Sequence, residues 1–466
     1  MVEGGKKVAY NFHPVDRDQM YLMPPTLKEW LPDGDLAWFL LDAVREMDLE
    51  VFLGRYREDG TGSRAYHPEM MVGLLLYAYC QGVRSSRKIE WMSERDVACR
   101  VVAANQKPDH TSISRFRKDF EKELEGVFVE VLRLCREAGL VKVGVVALDG
   151  TKIKANASLA ANRTVEGIKV EVKRMLEEAA KVDAEEDLKY GKDRRGDELP
   201  EGLNHPAQRL KRLRECKERL EKEAQKAMEE QSEKIARREA QEEESGEKKR
   251  GRKPLSPEET VNEEAKANMT DPQSRIMKTR SGYVQGYNAQ VVVTKQQIIV
   301  ACDVTQEEND QGQLTVMMKQ AEENLAAVGV KEKVKVGLAD AGYGREKNLE
   351  WSESQEVDYL IATQKDWKQK KAMREMPDPR GRMPQGLTAK QRMERKLLTR
   401  RGRALYKLRS STVEPVFGQV KGNKGCERFQ RRGVKAGRSE WKFISSAHNL
   451  LKLWRSGWAI GLNRAN

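Results

Sequence analysis

The chain has 466 residues, too many for one ordinary core, and its 38% hydrophobic content is enough for globular packing and excludes wholesale disorder. Lys and Arg outnumber Asp and Glu by 86 to 73, a formal net charge of +13, and the basic excess crowds into residues 365–435, which suits a polyanionic partner. The 6 cysteines form no C-x-x-C pair and none stands near a His at zinc-ligand spacing, so they read as reduced thiols of a cytoplasmic protein. No apolar run is long enough to span a membrane, and Met1–Tyr10 has no stretch suited to a signal peptide. Gly-x-Gly-x-x-Gly and Walker-type loops are missing, so no nucleotide cofactor is indicated.

Residues 1–20 read as a loose arm. From 21 to 140 the pattern is helical: Leu36, Phe39, Leu40 and Val44 repeat at helix spacing, as do Met70, Leu74, Leu75 and Tyr79. Pro108 stops one element, and Asp109 or Thr111 can cap the next helix, Thr111–Phe120. A short turn before such a helix fits a helix-turn-helix-like unit, with Arg115 and Arg117 as candidate DNA contacts; an ordinary bundle with a basic surface helix fits equally.

At Val141 the period changes. Val143, Val145, Val146, Ala147 and Leu148 form a buried strand that is predicted to end at Asp149-Gly150. A charged stretch, 164–282, follows; it reads as one or two solvated helices joined by the polar segment Tyr190–Pro206, with a flexible basic linker at Lys248–Pro254. Ala289–Thr294 and Ile298–Val304 form a hairpin, and a helix spans Gln311–Val328. Val334–Leu338 is a strand leading into Asp340, a short helix covers Glu346–Ser354, and Tyr359–Ala362 is a fifth strand.

Strand, hairpin, helix, strand, helix, strand, helix is the order of an RNase H-like α/β fold. The predicted architecture is therefore a mixed five-stranded sheet with helices (141–163 and 283–466), preceded by an all-α domain (21–140) and interrupted by a charged helical insertion (164–282). In that topology the first and fourth strands lie side by side, which brings Asp149 and Asp340 to one edge of the sheet. Glu414 is predicted to open a helix capped by Thr412, with Pro415 in its first turn and an apolar face of Val413, Val416, Phe417 and Val420. Each acid alone also has a plain reading, as a turn residue or helix cap. Together they are hard oxygen ligands whose mutual repulsion calls for cations, namely two Mg²⁺ or Mn²⁺ ions flanking a phosphodiester. Tyr406, Arg409 and Lys421 would grip phosphates beside them, and Lys424, Arg428, Arg431 and Arg432 extend the basic surface.

These segments resemble the DDE transposases of bacterial insertion sequences, in the group whose last motif places Tyr, Arg, Glu and Lys on one segment. Here those residues are Tyr406, Arg409, Glu414 and Lys421. Leu148-Asp149-Gly150-Thr151 is similar to the first-Asp motif of that family and Ala339-Asp340-Ala341-Gly342-Tyr343 to its second; Val413–Gly418 is similar to its Glu motif. Arg409 and Glu414 are separated by four residues, where some branches have three. The resemblance implies metal-dependent cleavage of DNA at terminal inverted repeats, then attack of the freed 3′-hydroxyl on a second strand or on target DNA, by a homodimer on paired ends. A structure-specific nuclease of the same fold, or a catalytically dead DNA-binding descendant, is the alternative; loss of an acid would mark the latter, and all three are present.

Overall fold

The computed structural model describes residues 26–56, 65–174, 205–246, 253–262, 264–279 and 282–458. The expected arm, the polar segment at 190–204 and most of the basic linker (248–252) lie outside the described residues.

Helices α1 (Leu36–Arg45), α2 (Glu50–Leu53), α3 (Pro68–Cys80), α4 (Ser86–Arg95), α5 (Val97–Val102), α6 (His110–Asp119) and α7 (Glu121–Glu137) form the N-terminal part. Helix α3 is apolar all round, with Met71 to Cys80 buried without a break, so it becomes the central helix. Helix α6 starts where the sequence predicts: the Asp109 carboxylate accepts the Ser112 N–H at 2.8 Å.

The strands are β1 (Val145–Lys154), β2 (Asn162–Arg163), β3 (Ala267–Asn268), β4 (Arg275–Thr279), β5 (Gly282–Thr294), β6 (Ile299–Thr305), β7 (Val336–Ala339) and β8 (Asp358–Ile361). Six form one mixed sheet, in the order β4-β5-β1-β7-β8, with β6 also paired to β5. The first and fourth predicted strands, β1 and β7, are parallel neighbours, as expected. The sheet departs from the five-stranded expectation because β5 starts at Gly282, well before Ala289. Its early half pairs with β4, from within the stretch assigned to the insertion, and its later half pairs with β6. Strand β1 likewise does not stop at Asp149-Gly150. It runs on to Lys154 because the long β5 keeps offering it partners, from Val146↔Thr294 to Lys154↔Gly286.

After β1 come α8 (165–174) and α9 (His205–Ser245), then α10 (Gln313–Ala327), α11 (Glu346–Glu353), α12 (Asp366–Glu375), α13 (Ala389–Leu398), α14 (Arg400–Phe417) and α15 (Val434–Arg455). One apolar core runs without interruption from Leu36 to Leu453, because α15 packs on α7 and α3 on one side and on β6 on the other. A buried ion pair, Arg84 to Glu440 at 3.0 Å, ties the N-terminal helices to α15. A small satellite core of Ile168, Leu213, Cys216, Leu220 and Ala267 anchors the base of α9, and the ribbon β2-β3 lies beside it. All six cysteines are buried, unpaired thiols.

Candidate functional site

The parallel pairing of β1 with β7 ends at Leu148↔Ala339. The next residue on each strand is an aspartate, so backbone register alone sets Asp149 and Asp340 side by side at one edge of the sheet. Both carboxyls are held above the usual carboxylate range. Burial comes first in each case. Asp340 then adds its repulsion at Asp149, which is pushed up to about 7, and Asp310 contributes at both. Asp340 is further fixed by its own turn, where its Oδ1 accepts the Gly342 N–H at 2.9 Å.

Helix α14 brings the third group. It starts at Thr399, whose hydroxyl accepts the Gly402 N–H at 3.0 Å, far upstream of the expected start at Thr412. Gly402 is required at this corner, since a Cβ there would lie 2.1 Å from the Lys396 carbonyl oxygen. Glu414 therefore sits near the end of a long helix, and Pro415 is inside it rather than in the first turn. Pro415 has no N–H for the Ser411 carbonyl, and the Gln297 side-chain amide approaches that oxygen instead, at 3.4 Å. A π-helical turn, Gly418–Asn423, follows directly.

Arg409 is the hub of the site. It is buried, and its Nη1 donates to Asp149 Oδ2 at 2.9 Å. Its Nη2 lies 3.9 Å from Glu414 Oε1 and 4.0 Å from Asp366 Oδ1. Glu414, half exposed, thus joins the two aspartates across a guanidinium rather than by direct approach. Among the described residues no group of three or more His, Cys, Asp or Glu side chains closes around a point suited to a metal ion.

Asp310 is the acid that sequence reasoning missed. Its Oδ1 accepts from Asn288 Nδ2 at 2.6 Å and Gln290 Nε2 at 2.7 Å, and Lys152 Nζ stands 3.7 Å away. Gln290 in turn accepts the Tyr343 hydroxyl, so the residue that follows Gly342 is wired to the same network. Gly150 and Gly342 leave the room: a Cβ on Gly150 would lie 2.6 Å from Asp310 Oδ1, and one on Gly342 would lie 3.1 Å from its Oδ2. The signal was present in β5, where Asn288 and Gln290, both fully buried, interrupt an apolar strand at period two. Buried amides need partners, and an acid is the strongest acceptor.

The expected basic contacts divide. Arg115, Arg428 and Arg432 are exposed. Arg117 is not a surface residue: its guanidinium donates to the Arg84 carbonyl and the Tyr79 hydroxyl, each at 2.8 Å, beneath the outer face of α6. Tyr406 is buried beside Arg409, and burial pushes its hydroxyl up to about 12 against the pull of that cation. Lys421 donates to the Lys152 carbonyl at 2.7 Å, and Arg431 pairs with Glu121. Lys424 lines a cavity away from the three acids.

The family described as Transposase domain (DUF772) matches residues 25–119, and the family described as Transposase DDE domain matches residues 246–450. No curated protein and no solved structure matches the chain significantly.

Proposed function

Because the chain belongs to the DDE transposases of insertion sequences, we propose that Asp149, Asp340 and Glu414 are its catalytic acids and that it cuts DNA at the ends of its own element and joins them elsewhere. The observation that carries this reading is the Leu148↔Ala339 register, which delivers two aspartates to one point while α14 brings Arg409 and Glu414 to the same place.

The donor set fits the divalent ions that the family generally uses. Two half-buried carboxyls, both raised above their ordinary range by burial and by neighbouring acids, form a site that a cation would relieve, and all the donors are hard oxygens. Asp149, Asp340 and Glu414 would hold Mg²⁺ or Mn²⁺, two ions per centre, which supply positive charge for activating an attacking oxygen and steadying a leaving one. Arg409 holds Asp149 in a single orientation and is the standing counter-charge of the group. The Gly342 N–H holds Asp340, and the Asn288–Gln290–Asp310 network closes the inner wall. Exposed Arg115, Arg428 and Arg432 offer phosphate contacts on the surface, and two copies on paired DNA ends complete the reading.

The test uses duplex DNA carrying the inverted repeats that flank the element's own gene. Asp149→Asn, Asp340→Asn and Glu414→Gln should each abolish nicking in Mg²⁺ or Mn²⁺ while keeping DNA binding. Mn²⁺ should raise the melting temperature of the wild type but not of the Asp149→Asn variant. Full nicking by any one variant removes that residue from the centre.

A further inference from the structure

Three cations converge where no described acid neutralises them. Lys424 follows the π-helical turn, and Lys452 and Arg455 lie on the last turns of α15. Together they line a cavity of about 200 Å³ with Gln419, Asn423 and His448. Among the described residues the lining contains no carboxylate. Lys424 Nζ is buried and has no hydrogen-bond partner among the described residues. Lys452 Nζ donates to the neutral side-chain oxygen of Gln297 at 2.6 Å, and Arg455 is in no ion pair among the described residues. His448 adds no negative charge: its Nε2 bonds the Gln297 carbonyl at 2.9 Å, which fixes the proton on that nitrogen. The adjoining cavity shares Arg455 and holds one acid, Asp35, whose carboxylate already caps α1 by accepting the Ala37 N–H at 2.8 Å.

An isolated ammonium group out of water is unfavourable unless it is paired. Here Arg455 worsens the position of Lys424 and of Lys452 alike, and the groups that favour charge on Lys424 are two thiols, Cys80 and Cys426, whose own pKa values burial raises. Gln419 and Asn423 bring side-chain amides to the same walls. Several donors and no fixed acceptor charge describe a receptor for a compact oxyanion.

We propose that this cavity, at the junction of the end of α3, the π-helical turn and α15, is an anion site that seats a phosphate group. The phosphate is either one of the DNA backbone or a free inorganic phosphate. The DNA arm rests on the transposase reading, whereas the free-phosphate arm stands without it.

Two measurements on the full chain decide. Inorganic phosphate, compared with chloride at equal ionic strength, should raise the melting temperature of the wild type. Lys424→Met should melt higher than the wild type without phosphate and lose at least tenfold in phosphate affinity. Arg455→Gln, at the exposed rim where folding is not at stake, should show the same loss in weaker form. Binding of a random-sequence duplex is then followed against salt. If a backbone phosphate is the occupant, Lys424→Met should lower the slope of log K on log salt by about 0.9. Loss of phosphate binding with an unchanged slope assigns the site to the free anion. Should the wild type bind no duplex at all, the DNA reading fails and the phosphate titration still decides the pocket. Equal phosphate response in the wild type and both variants, or none in any, with an unchanged slope, overturns the proposal.

Discussion

At the scale of single residues, Asp310 is a side chain outside the recognised acids that helps to hold the carboxyls of Asp149 and Asp340 above their ordinary range. It is lodged between the Asp149-Gly150 and Asp340-Ala341-Gly342 turns, with two amides gripping one oxygen. Asp310→Asn keeps the shape and removes the charge. It should slow nicking by roughly 10–100-fold, the usual effect of removing a partner that orients ligating groups, while DNA affinity stays the same. Gly150→Ala should match it, because the new methyl would displace Gln290 Nε2, 2.3 Å away. Single-turnover rates beside binding curves check both, and a variant that nicks at the wild-type rate removes Asp310 from the site.

His448 carries a second prediction at this scale. Buried against the Gln297 carbonyl, its imidazole is pushed down to about 3, with the cations Lys424, Lys452 and Arg455 adding to the effect of burial. A base depressed in the folded state contributes fully above its unfolded pKa of about 6.5. Stability is then lost as pH falls toward 3, because only the unfolded chain takes up the proton, at up to about 1.4 kcal/mol per pH unit. Between pH 7 and pH 5 the wild type should therefore lose about 2 kcal/mol more than His448→Gln in urea unfolding. Equal losses would show that another group governs that window.

At the scale of elements, α6 separates two arginines that look alike in sequence. Arg117 is enclosed by Tyr79, Arg84 and Ser86, whereas Arg115 faces solvent. Arg117→Ala leaves buried acceptors without donors and should cost about 1–3 kcal/mol of stability. Arg115→Ala should change stability by less than about 0.5 kcal/mol and weaken DNA binding. If it does so equally on specific and random duplexes, α6 only positions the protein on the backbone.

The same contrast explains what was legible. Apolar runs fixed β1 as far as Leu148, the β5–β6 hairpin, β7 and β8, because each of these is buried and the residues state it. Where elements carry mixed residues the sequence misled. The start of β5 at Gly282 and its partner β4 contain exposed and polar positions, and their pairing is set by tertiary register. Glu414 read as a helix opener because Pro415 is so often a first-turn residue. The true cap, Thr399, could not be weighed against it without knowing that Gln297 comes across from the β5–β6 turn to the Ser411 carbonyl. Asp149 and Asp340, the proposed catalytic aspartates, were legible because a strand followed by an acid is local; Arg409's bond to Asp149 spans the chain and was not.

At the scale of the whole molecule, the base of α9 is packed into the folded body, and further along Gln231 donates to the Leu255 carbonyl at 2.8 Å. Leu213, Cys216 and Leu220 are buried, and Arg219 donates to the Lys266 and Ser274 carbonyls while Glu223 pairs with Arg275. Replacing 227–253 by a short flexible linker should leave the melting temperature within a few degrees of the wild type. Leu213→Ala should cost about 2–5 kcal/mol, because the satellite core has few residues to close the hole. If the shortened chain is insoluble, the distal part is structural. If it folds but assembles paired ends poorly, the arm has its role there.

Helix α9, base included, is a rod of 41 residues, about 60 Å at 1.5 Å per residue. Between His205 and Ser245 it bears 11 basic and 11 acidic residues. A neutral rod has no long-range hold on a duplex, since fields from balanced charges fade within a Debye length of about 10 Å in 0.1 M salt. It is therefore expected to act as a spacer, a part that sets separations rather than affinities. In solution scattering the free protein should show a pair-distance distribution with a long, thin tail past the globular peak. Shortening the arm should erase that tail and leave the salt dependence of DNA binding as it was.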